Sequence, residues 1–261
     1  MFKRELKNNF KSFIIWTLLL SFFLIMAYAF YPTLDQGASF DELLEMMPEE
    51  LIIALNMDIV DVNSAFGWFA SEGYMMVALL GGCYAAILGS TIVLKEYSEK
   101  TIEFLISKPI SRLEILKNKL LVGTTYIFLF NFVLFLLSLI SLRLLDDLDL
   151  KLLVLFSGST LLIHYIFFFV TIFISMFFNK TKKMIGVSLG LVLGTYFLQV
   201  LSLLNERIDF LKYLSPYEYF SARHIILNEA YKTSYLLLTI LIIILCLVGV
   251  VSIYKNKEFT L

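Results

Sequence analysis

The sequence predicts an all-α integral membrane protein with six transmembrane helices, and three observations lead to this prediction. Hydrophobic residues make up 59% of the 261-residue chain and charged residues 16%, whereas a soluble domain has roughly 45–50% and about 25%. The mean hydropathy is +0.84. Six apolar stretches are long enough for the roughly 20 residues that a helix needs to cross a bilayer. Because these runs do not alternate with polar residues, they exclude a membrane β-barrel, and the composition excludes soluble, disordered and disulfide-stapled proteins.

The basic residues predict how these helices are oriented. The six spans are expected at residues 13–31, 73–94, 120–142, 152–178, 184–204 and 234–254. With the N-terminus in the cytoplasm, 15 of the 21 Lys and Arg residues fall in cytoplasmic segments. Cytoplasmic loops carry an excess of Lys and Arg. We therefore expect both termini in the cytoplasm and a single multi-pass domain over residues 1–261, in the plasma membrane.

The first eleven residues are amphipathic at helical spacing. Phe2, Leu6 and Phe10 share one face, and four basic residues occupy the other. Such a pattern predicts a helix in the inner membrane interface, which either anchors the chain or grips a partner. The leader and the small residues near Ala27 also imitate a signal peptide. The apolar run continues to Tyr31, however, and this length favours an uncleaved first span.

The first outer loop, residues 32–72, is acidic. Nine Asp and Glu residues lie between Asp35 and Glu72, and the same stretch contains no Lys or Arg. An EF-hand-like calcium loop is not found in it. A solvated acidic surface is therefore favoured over an ion site.

Small residues recur at four-residue spacing in two of the spans. Such faces let helices approach closely. They predict packing seams within the bundle or between protomers at Gly82 and Ala86 in the second span, and at Gly186, Gly190 and Gly194 in the fifth.

The cytoplasmic loop, residues 95–119, has the pattern of two helices joined by a tight turn. Pro109 disfavours helix at the residue before it, so a first short helix should end near Ser107. Ser111 and Glu114 match a capping box that opens a new helix. The first helix would carry an apolar stripe and a charged stripe, as expected for a surface that docks a cytoplasmic protein.

Polar side chains inside the predicted spans are few. Asn131, His164 and Gln199 lie within spans and Glu72 lies at the outer mouth of the second. Intramembrane polar groups are candidate pathway residues, although an interhelical hydrogen bond is the favoured role for His164. The spans contain no paired carboxylates and no proton relay, which argues against an ion-driven carrier. Neither catalytic residues nor a metal site are predicted, since the two His are scattered and the two Cys lie in apolar runs.

The last outer loop, residues 205–233, is rich in aromatic residues and is broken at Pro216. Tyr and Phe at this height commonly form an interfacial belt. The alternative is a re-entrant hairpin that lines the outer mouth of a pathway.

The cytoplasmic loop resembles that of ABC-2 type transporter permeases, whose pattern includes an acidic residue, Gly-Thr, Glu, Leu, Pro, Ser-Arg and Lys. The matching residues here are Glu96, Thr101, Glu103, Leu105, Pro109, Ser111, Arg112 and Lys119. Lys100 departs from the pattern, because the family often has Gly there. In that family the loop is the coupling helix that sits in a groove of the ATPase subunit. The contact residues that the resemblance implies are Glu96, Glu99, Thr101, Ile102, Glu103, Phe104, Leu105, Ile106, Pro109, Ser111 and Arg112.

The resemblance implies a permease subunit of an ABC exporter. The sequence lacks the G-x-x-x-x-G-K-[ST] phosphate loop, so we expect no cofactor in this chain, with ATP and Mg²⁺ on a separate ATPase subunit in two copies. A second permease chain, identical or different, and the lipid bilayer are the other expected partners, and no nucleic acid is expected. The apolar spans favour an amphipathic or hydrophobic cargo such as a peptide, an antibiotic or a lipid. The alternative function is a membrane sensor or immunity scaffold that binds a ligand through the acidic outer loop without transport.

Overall fold

The computed structural model of the chain contains six helices that are long and apolar enough to cross a membrane. It describes residues 2–34, 46, 52, 64–98, 111–204 and 206–256, and no strand occurs among them. The helices are α1 (Phe2–Leu34), α2 (Ala65–Trp68), α3 (Tyr74–Ser98), α4 (Arg112–Leu144), α5 (Leu150–Ser175), α6 (Thr181–Leu204), α7 (Pro216–Tyr219), α8 (Ala222–Asn228) and α9 (Thr233–Asn256). A π-helical turn (Phe69–Gly73) joins α2 to α3, and a 3-10 segment (Glu206–Leu214) precedes α7. The predicted fold class is confirmed.

The N-terminal segment differs from the prediction. Instead of a separate interfacial helix followed by a span, α1 is one helix of 33 residues. At 1.5 Å per residue it is about 50 Å long, well beyond the roughly 30 Å hydrocarbon core of a bilayer. Phe2 and Leu6 pack against the core of the bundle, whereas Phe10 is 53% exposed. The basic leader is therefore the first three turns of the helix that contains the first predicted span.

A short turn connects α4 to α5 and is fixed by three aspartates. Asp146 adopts a left-handed backbone conformation (φ 53°), which Asp tolerates better than most residues. Asp149 caps α5, since its carboxylate accepts a hydrogen bond from the Leu152 amide at 3.0 Å. The Asp147 carboxylate accepts a hydrogen bond from the Phe66 amide at 2.7 Å, and this bond ties the turn to the start of α2.

The helix at the centre of the bundle is α3, which packs against α5 and α6, while α1 packs against α4 and α9 against α5. In the helical stretch Ala65–Lys95, which includes most of α3, 78% of the most apolar 18-residue segment is buried. The corresponding value for Thr233–Lys255, in α9, is 11%. We call the two ends of the bundle the Lys119 end, where α3 ends and α4 begins, and the Tyr217 end, where α2, α7 and α8 lie.

Apolar side chains cover the outside of the bundle as well as its core. Leu18, Phe128, Phe197 and Leu245 are each 50% exposed or more, and they lie on four different long helices. A soluble monomer rarely exposes so much apolar surface. These faces are those that lipid tails or a second apolar chain would cover.

The two predicted small-residue faces have different surroundings. In α3, a Cβ added at Gly82 would lie 3.2 Å from the Phe167 ring and 3.3 Å from the Tyr217 hydroxyl, and Ala86 is fully buried. In α6, apart from the adjacent residues and the backbone of α6 itself, no atom of the described residues lies within 4 Å of a Cβ built at Gly186, Gly190 or Gly194. Gly82 and Ala86 therefore lie at a packing seam within the described bundle, whereas packing of the α6 glycines between protomers stays a prediction.

Candidate functional site

The predicted coupling loop is only partly described. Outside the described residues lie Glu99, Thr101, Ile102, Glu103, Phe104, Leu105, Ile106 and Pro109. Glu96 belongs to the last turn of α3, and Arg112 is the first residue of α4. Ser111 is the N-cap of α4, and its hydroxyl accepts a hydrogen bond from the Glu114 amide at 3.2 Å. A new helix thus starts where the capping pattern predicts it, directly after the undescribed segment.

A buried ammonium group joins the helices that flank this segment. Lys119 is 1% exposed, and its Nζ donates a hydrogen bond to the Ile92 carbonyl at 2.7 Å. The same Nζ lies 3.5 Å from a carboxylate oxygen of Glu5, a residue that is 3% exposed. Because Ile92 is in α3, Lys119 in α4 and Glu5 in α1, one side chain connects three helices at the Lys119 end.

A second contact holds the start of α1 in place. The Tyr126 hydroxyl of α4 donates a hydrogen bond of 2.5 Å to the Leu6 carbonyl, and the rings of Phe13 and Tyr126 have centroids 5.0 Å apart. The N-terminal turns of α1 are therefore held against α4 by the Glu5–Lys119 ion pair and by the hydrogen bond from Tyr126 to the Leu6 carbonyl.

Glu5 was not predicted from the sequence as part of this junction. A signal was present, since Glu5 lies three residues after Phe2 and next to Leu6, on the apolar face of the leader. A carboxylate on an otherwise apolar helix face needs a partner when it is buried. The pattern does not show that this partner is Lys119, because the pairing depends on how α1 packs against α4.

His164 and Asn131 form a hydrogen-bonded group in the core of the bundle. The Asn131 amide nitrogen lies 3.0 Å from His164 Nδ1, and His164 Nε2 lies 3.1 Å from the Val77 carbonyl. The Thr160 hydroxyl donates a hydrogen bond to Asn131 Oδ1 at 3.2 Å. His164 is fully buried and Asn131 is 6% exposed. His164 thus makes interhelical hydrogen bonds that link α3, α4 and α5, and this geometry matches the role that the sequence favoured for it.

A cavity of about 110 Å³ lies at the Tyr217 end. It is bounded by the π turn and start of α3, by the end of α6, and by α7 and the residues that follow it. The residues that line it with polar side chains include Ser71, Gln199, Glu218 and Arg223, together with Tyr74 and Tyr217. The Gln199 amide nitrogen approaches the Glu218 carboxylate at 3.5 Å. Burial raises the pKa of the Glu218 carboxyl above its ordinary value, while the Lys212 charge opposes this shift.

The aromatic loop at this end folds back into the bundle. Tyr217, Tyr219 and Phe220 are buried, and the Tyr74 hydroxyl donates a hydrogen bond of 2.5 Å to the Phe220 carbonyl. The Tyr217 ring packs on the Phe167 ring with centroids 5.5 Å apart. This packing favours the re-entrant alternative for residues 215–222. Phe210 and Tyr213 are 62% and 54% exposed, as members of an interfacial belt would be.

The four predicted pathway residues do not form one group. Asn131 and His164 bond to each other in the core, and Gln199 lines the cavity with Glu218. Glu72 lies in the π turn beside this cavity and is partly exposed. Glu218 was not predicted from the sequence, because a Glu between two Tyr in a loop carries no pattern of its own. No group of three or more His, Cys, Asp or Glu in the described part of the chain could hold a metal ion.

Comparison with known proteins identifies a family over nearly the whole chain. The sequence model of a family described as ABC-2 family transporter protein matches residues 1–259. A search of curated proteins finds no match.

Proposed function

The chain belongs to the ABC-2 transporter family, and from this premise we propose that it is the membrane-spanning permease subunit of an ABC exporter. It moves an amphipathic or hydrophobic cargo outward, such as a peptide, an antibiotic or a lipid-like molecule. The energy comes from ATP, bound with Mg²⁺ on a separate cytoplasmic ATPase subunit present in two copies. No cofactor binds to the permease chain itself, and no step of hydrolysis takes place on it.

In this proposal the Lys119 end faces the cytoplasm. The support is the distribution of charge, since Lys and Arg are concentrated in the segments at that end. The Tyr217 end then faces outward, with the re-entrant aromatic residues at the outer mouth. Both termini lie on the cytoplasmic side, and the membrane is the plasma membrane.

The coupling step is assigned to residues 99–110 between α3 and α4. The observation that carries this assignment is the buried Lys119 contact, because it ties the ends of both flanking helices to α1. A force applied to the loop by the ATPase would reach three helices at once through a junction that is held by a hydrogen bond and an ion pair. Ile102, Leu105 and Ile106 would bury in the ATPase groove, with Glu99, Glu103 and Arg112 at its rim.

A matched pair of loop variants tests the coupling role. Binding energy at interfaces concentrates in a few central apolar side chains, so Leu105→Ala should weaken association with the ATPase by on the order of 1–3 kcal/mol. Lys100→Ala, in the same loop, should have almost no effect, because single rim charges contribute little. ATPase stimulation and cargo flux are measured side by side in reconstituted vesicles. If Leu105→Ala leaves assembly, hydrolysis and flux intact, the loop is not the coupling element.

The permease is proposed to work with a second permease chain, identical or different. The glycines of α6 support this, because their face has no neighbour among the described residues and small residues allow close helix contact. A Gly190→Cys variant should form a disulfide-linked dimer in membranes if the two chains are identical and meet at this face. A variant with Cys at Phe128, which is 50% exposed on α4, is the control, and equal cross-linking of both would contradict a specific α6 contact.

The acidic outer loop favours one alternative, a membrane sensor or immunity scaffold that binds a ligand and transports nothing. Nine acidic residues without a Lys or Arg would suit a cationic ligand. This alternative requires ligand binding that is unchanged after Glu103 and Arg112 are substituted, together with no ATP-dependent flux.

A further inference from the structure

The described residues that line the cavity at the Tyr217 end include apolar side chains and one carboxylate. Met75, Val200 and Leu203 are among the residues that line it, and so is Glu218. Its volume of about 110 Å³ is somewhat below that of the engineered apolar cavity of about 150 Å³ that binds benzene. The space therefore suits a ligand of about five or six non-hydrogen atoms, or one end of a larger molecule.

The Glu218 carboxylate in this cavity is partly exposed, and the charges of Lys212 and Lys232, which do not line the cavity, also act on it. Its polar contact with Gln199 is long, at 3.5 Å, and burial raises the pKa of Glu218. The side-chain carbonyl oxygen of Gln199 is buried and has no hydrogen-bond partner among the described residues, and the residue is 8% exposed. A buried acceptor without a donor is costly. Both groups would be stabilised by a ligand that brings N–H donors and a positive charge.

The π turn adds a third acceptor to the residues that line the cavity. Ser71 lies in the π-helical segment Phe69–Gly73 and is 3% exposed. Its hydroxyl donates to the Trp68 carbonyl at 3.1 Å, so the oxygen keeps its acceptor capacity. Single π turns inside α-helices are rare and occur frequently at functional sites.

We propose that this cavity binds the primary ammonium group of a small organic cation, or of an amine-bearing end of a larger ligand. Glu218 is the counter-ion, Gln199 and Ser71 accept hydrogen bonds from the ammonium, and the hydrocarbon part contacts Met75 and Val200. Arg223 also lines the cavity, but its side chain is exposed, so water screens its charge. The proposed ammonium binding does not depend on whether the ligand is transported, so it can be tested with the permease chain alone, without the ATPase.

Three ligands of equal length test the chemistry of the site. The chain is placed in nanodiscs of zwitterionic phosphatidylcholine, and n-butylammonium, n-butanol and butyrate are titrated by saturation-transfer NMR. Butylammonium should bind saturably. Butanol and butyrate should bind at least about tenfold more weakly, because only butylammonium has a positive charge that can pair with Glu218 and donate hydrogen bonds. Equal binding of butanol would overturn the proposal in favour of a merely apolar cavity, and tighter binding of butyrate would assign the site to an anion at Arg223. No saturable binding of butylammonium would also overturn it.

Variants locate the binding at this cavity. Glu218→Gln should weaken butylammonium binding at least about tenfold, because it removes the counter-ion and keeps the shape. Gln199→Met should weaken it severalfold, because it removes the acceptor oxygen that no described residue bonds to; it also removes the amide nitrogen that approaches Glu218 at 3.5 Å. Glu229→Gln removes an exposed carboxylate from the same end of the bundle, where it pairs with Lys151, and should leave binding unchanged. Unchanged affinity in both folded Glu218 and Gln199 variants would overturn the assignment.

Discussion

Lys119 and Glu5 form an ion pair in the interior of the bundle, with the charged atoms 3.5 Å apart and both side chains at most 4% exposed. Removal of one partner from a buried pair leaves an uncompensated charge and typically costs about 3–5 kcal/mol. We expect Lys119→Met to lower the free energy of unfolding by an amount near the lower limit, because Arg4 still lies 3.4 Å from the Glu5 carboxylate. Reversible unfolding in detergent measures this change.

The double variant Glu5→Gln/Lys119→Met separates the ion pair from general damage to packing. It should recover part of the loss, since no charge is then left unpaired. Lys151→Met is the matched control, because its pair with Glu229 is more than half exposed and such pairs contribute about 1 kcal/mol or less. Equal effects of Lys119→Met and Lys151→Met would contradict the buried junction.

Gly81→Ala should destabilise the bundle, whereas Gly190→Ala should not in a monomeric preparation of the chain, in which the proposed α6 contact between permease chains is absent. A Cβ at Gly81 would overlap the imidazole ring of His164, and extra atoms in a well-packed core typically cost about 1–3 kcal/mol. No described atom lies near a Cβ at Gly190, and Ala is a better helix former than Gly by up to about 1 kcal/mol. Melting temperatures of the two variants in detergent measure the difference. A loss of stability at Gly190 that equals the loss at Gly81 would be inconsistent with this structure.

The sequence predicted the number of long helices because each span needs its own apolar run, and run length is visible in one dimension. The start of α4 was also predictable, since a cap depends on residues three positions apart, here Ser111 and Glu114. The two glycine-rich faces had the same spacing and the same interpretation. Of these two faces, only the one on α3 is covered by other helices of the described bundle. Which face is covered depends on how the helices pack, and the spacing of small residues does not show it.

The polar contacts were predictable only in part. His164 was expected to bond across helices, but its partners Asn131 and Val77 come from α4 and α3, and the sequence does not set their register. Glu218 contacts Gln199, which lies nineteen residues earlier in the sequence, because the aromatic loop folds back onto the bundle. Such groups are found only when distant segments are placed in space.

Ser111→Ala should loosen the first turn of α4. The Ser111 hydroxyl accepts a hydrogen bond from the Glu114 amide, and loss of an N-cap typically costs about 0.5–2 kcal/mol. Hydrogen exchange at the amides of residues 112–115 should become faster, while exchange in the middle of α4 should not change. Ser111→Asp keeps an acceptor at the cap and should retain the protection. Faster exchange in the Asp variant equal to that in the Ala variant would show that the cap does not hold this turn.

Glu218 should make stability depend on pH in a defined direction. Burial, the largest cause, raises the pKa of its carboxyl above the ordinary value of 4.5, while Lys212 and Lys232 oppose the shift and Asp209 adds to it. The folded chain thus holds this proton more tightly than the unfolded chain. The stabilising contribution is fully present below about pH 4.5 and is lost as the pH rises through the raised pKa.

Glu218→Gln resembles the protonated form at every pH, so its stability relative to the parent chain should increase from pH 4.5 to pH 7.5. Unfolding free energies of both chains at the two pH values measure this difference, in which the contributions of carboxyl groups that do not interact with Glu218 cancel. A difference that is constant with pH, or that decreases toward pH 7.5, would show that the Glu218 carboxylate is not destabilised by its position in the cavity wall.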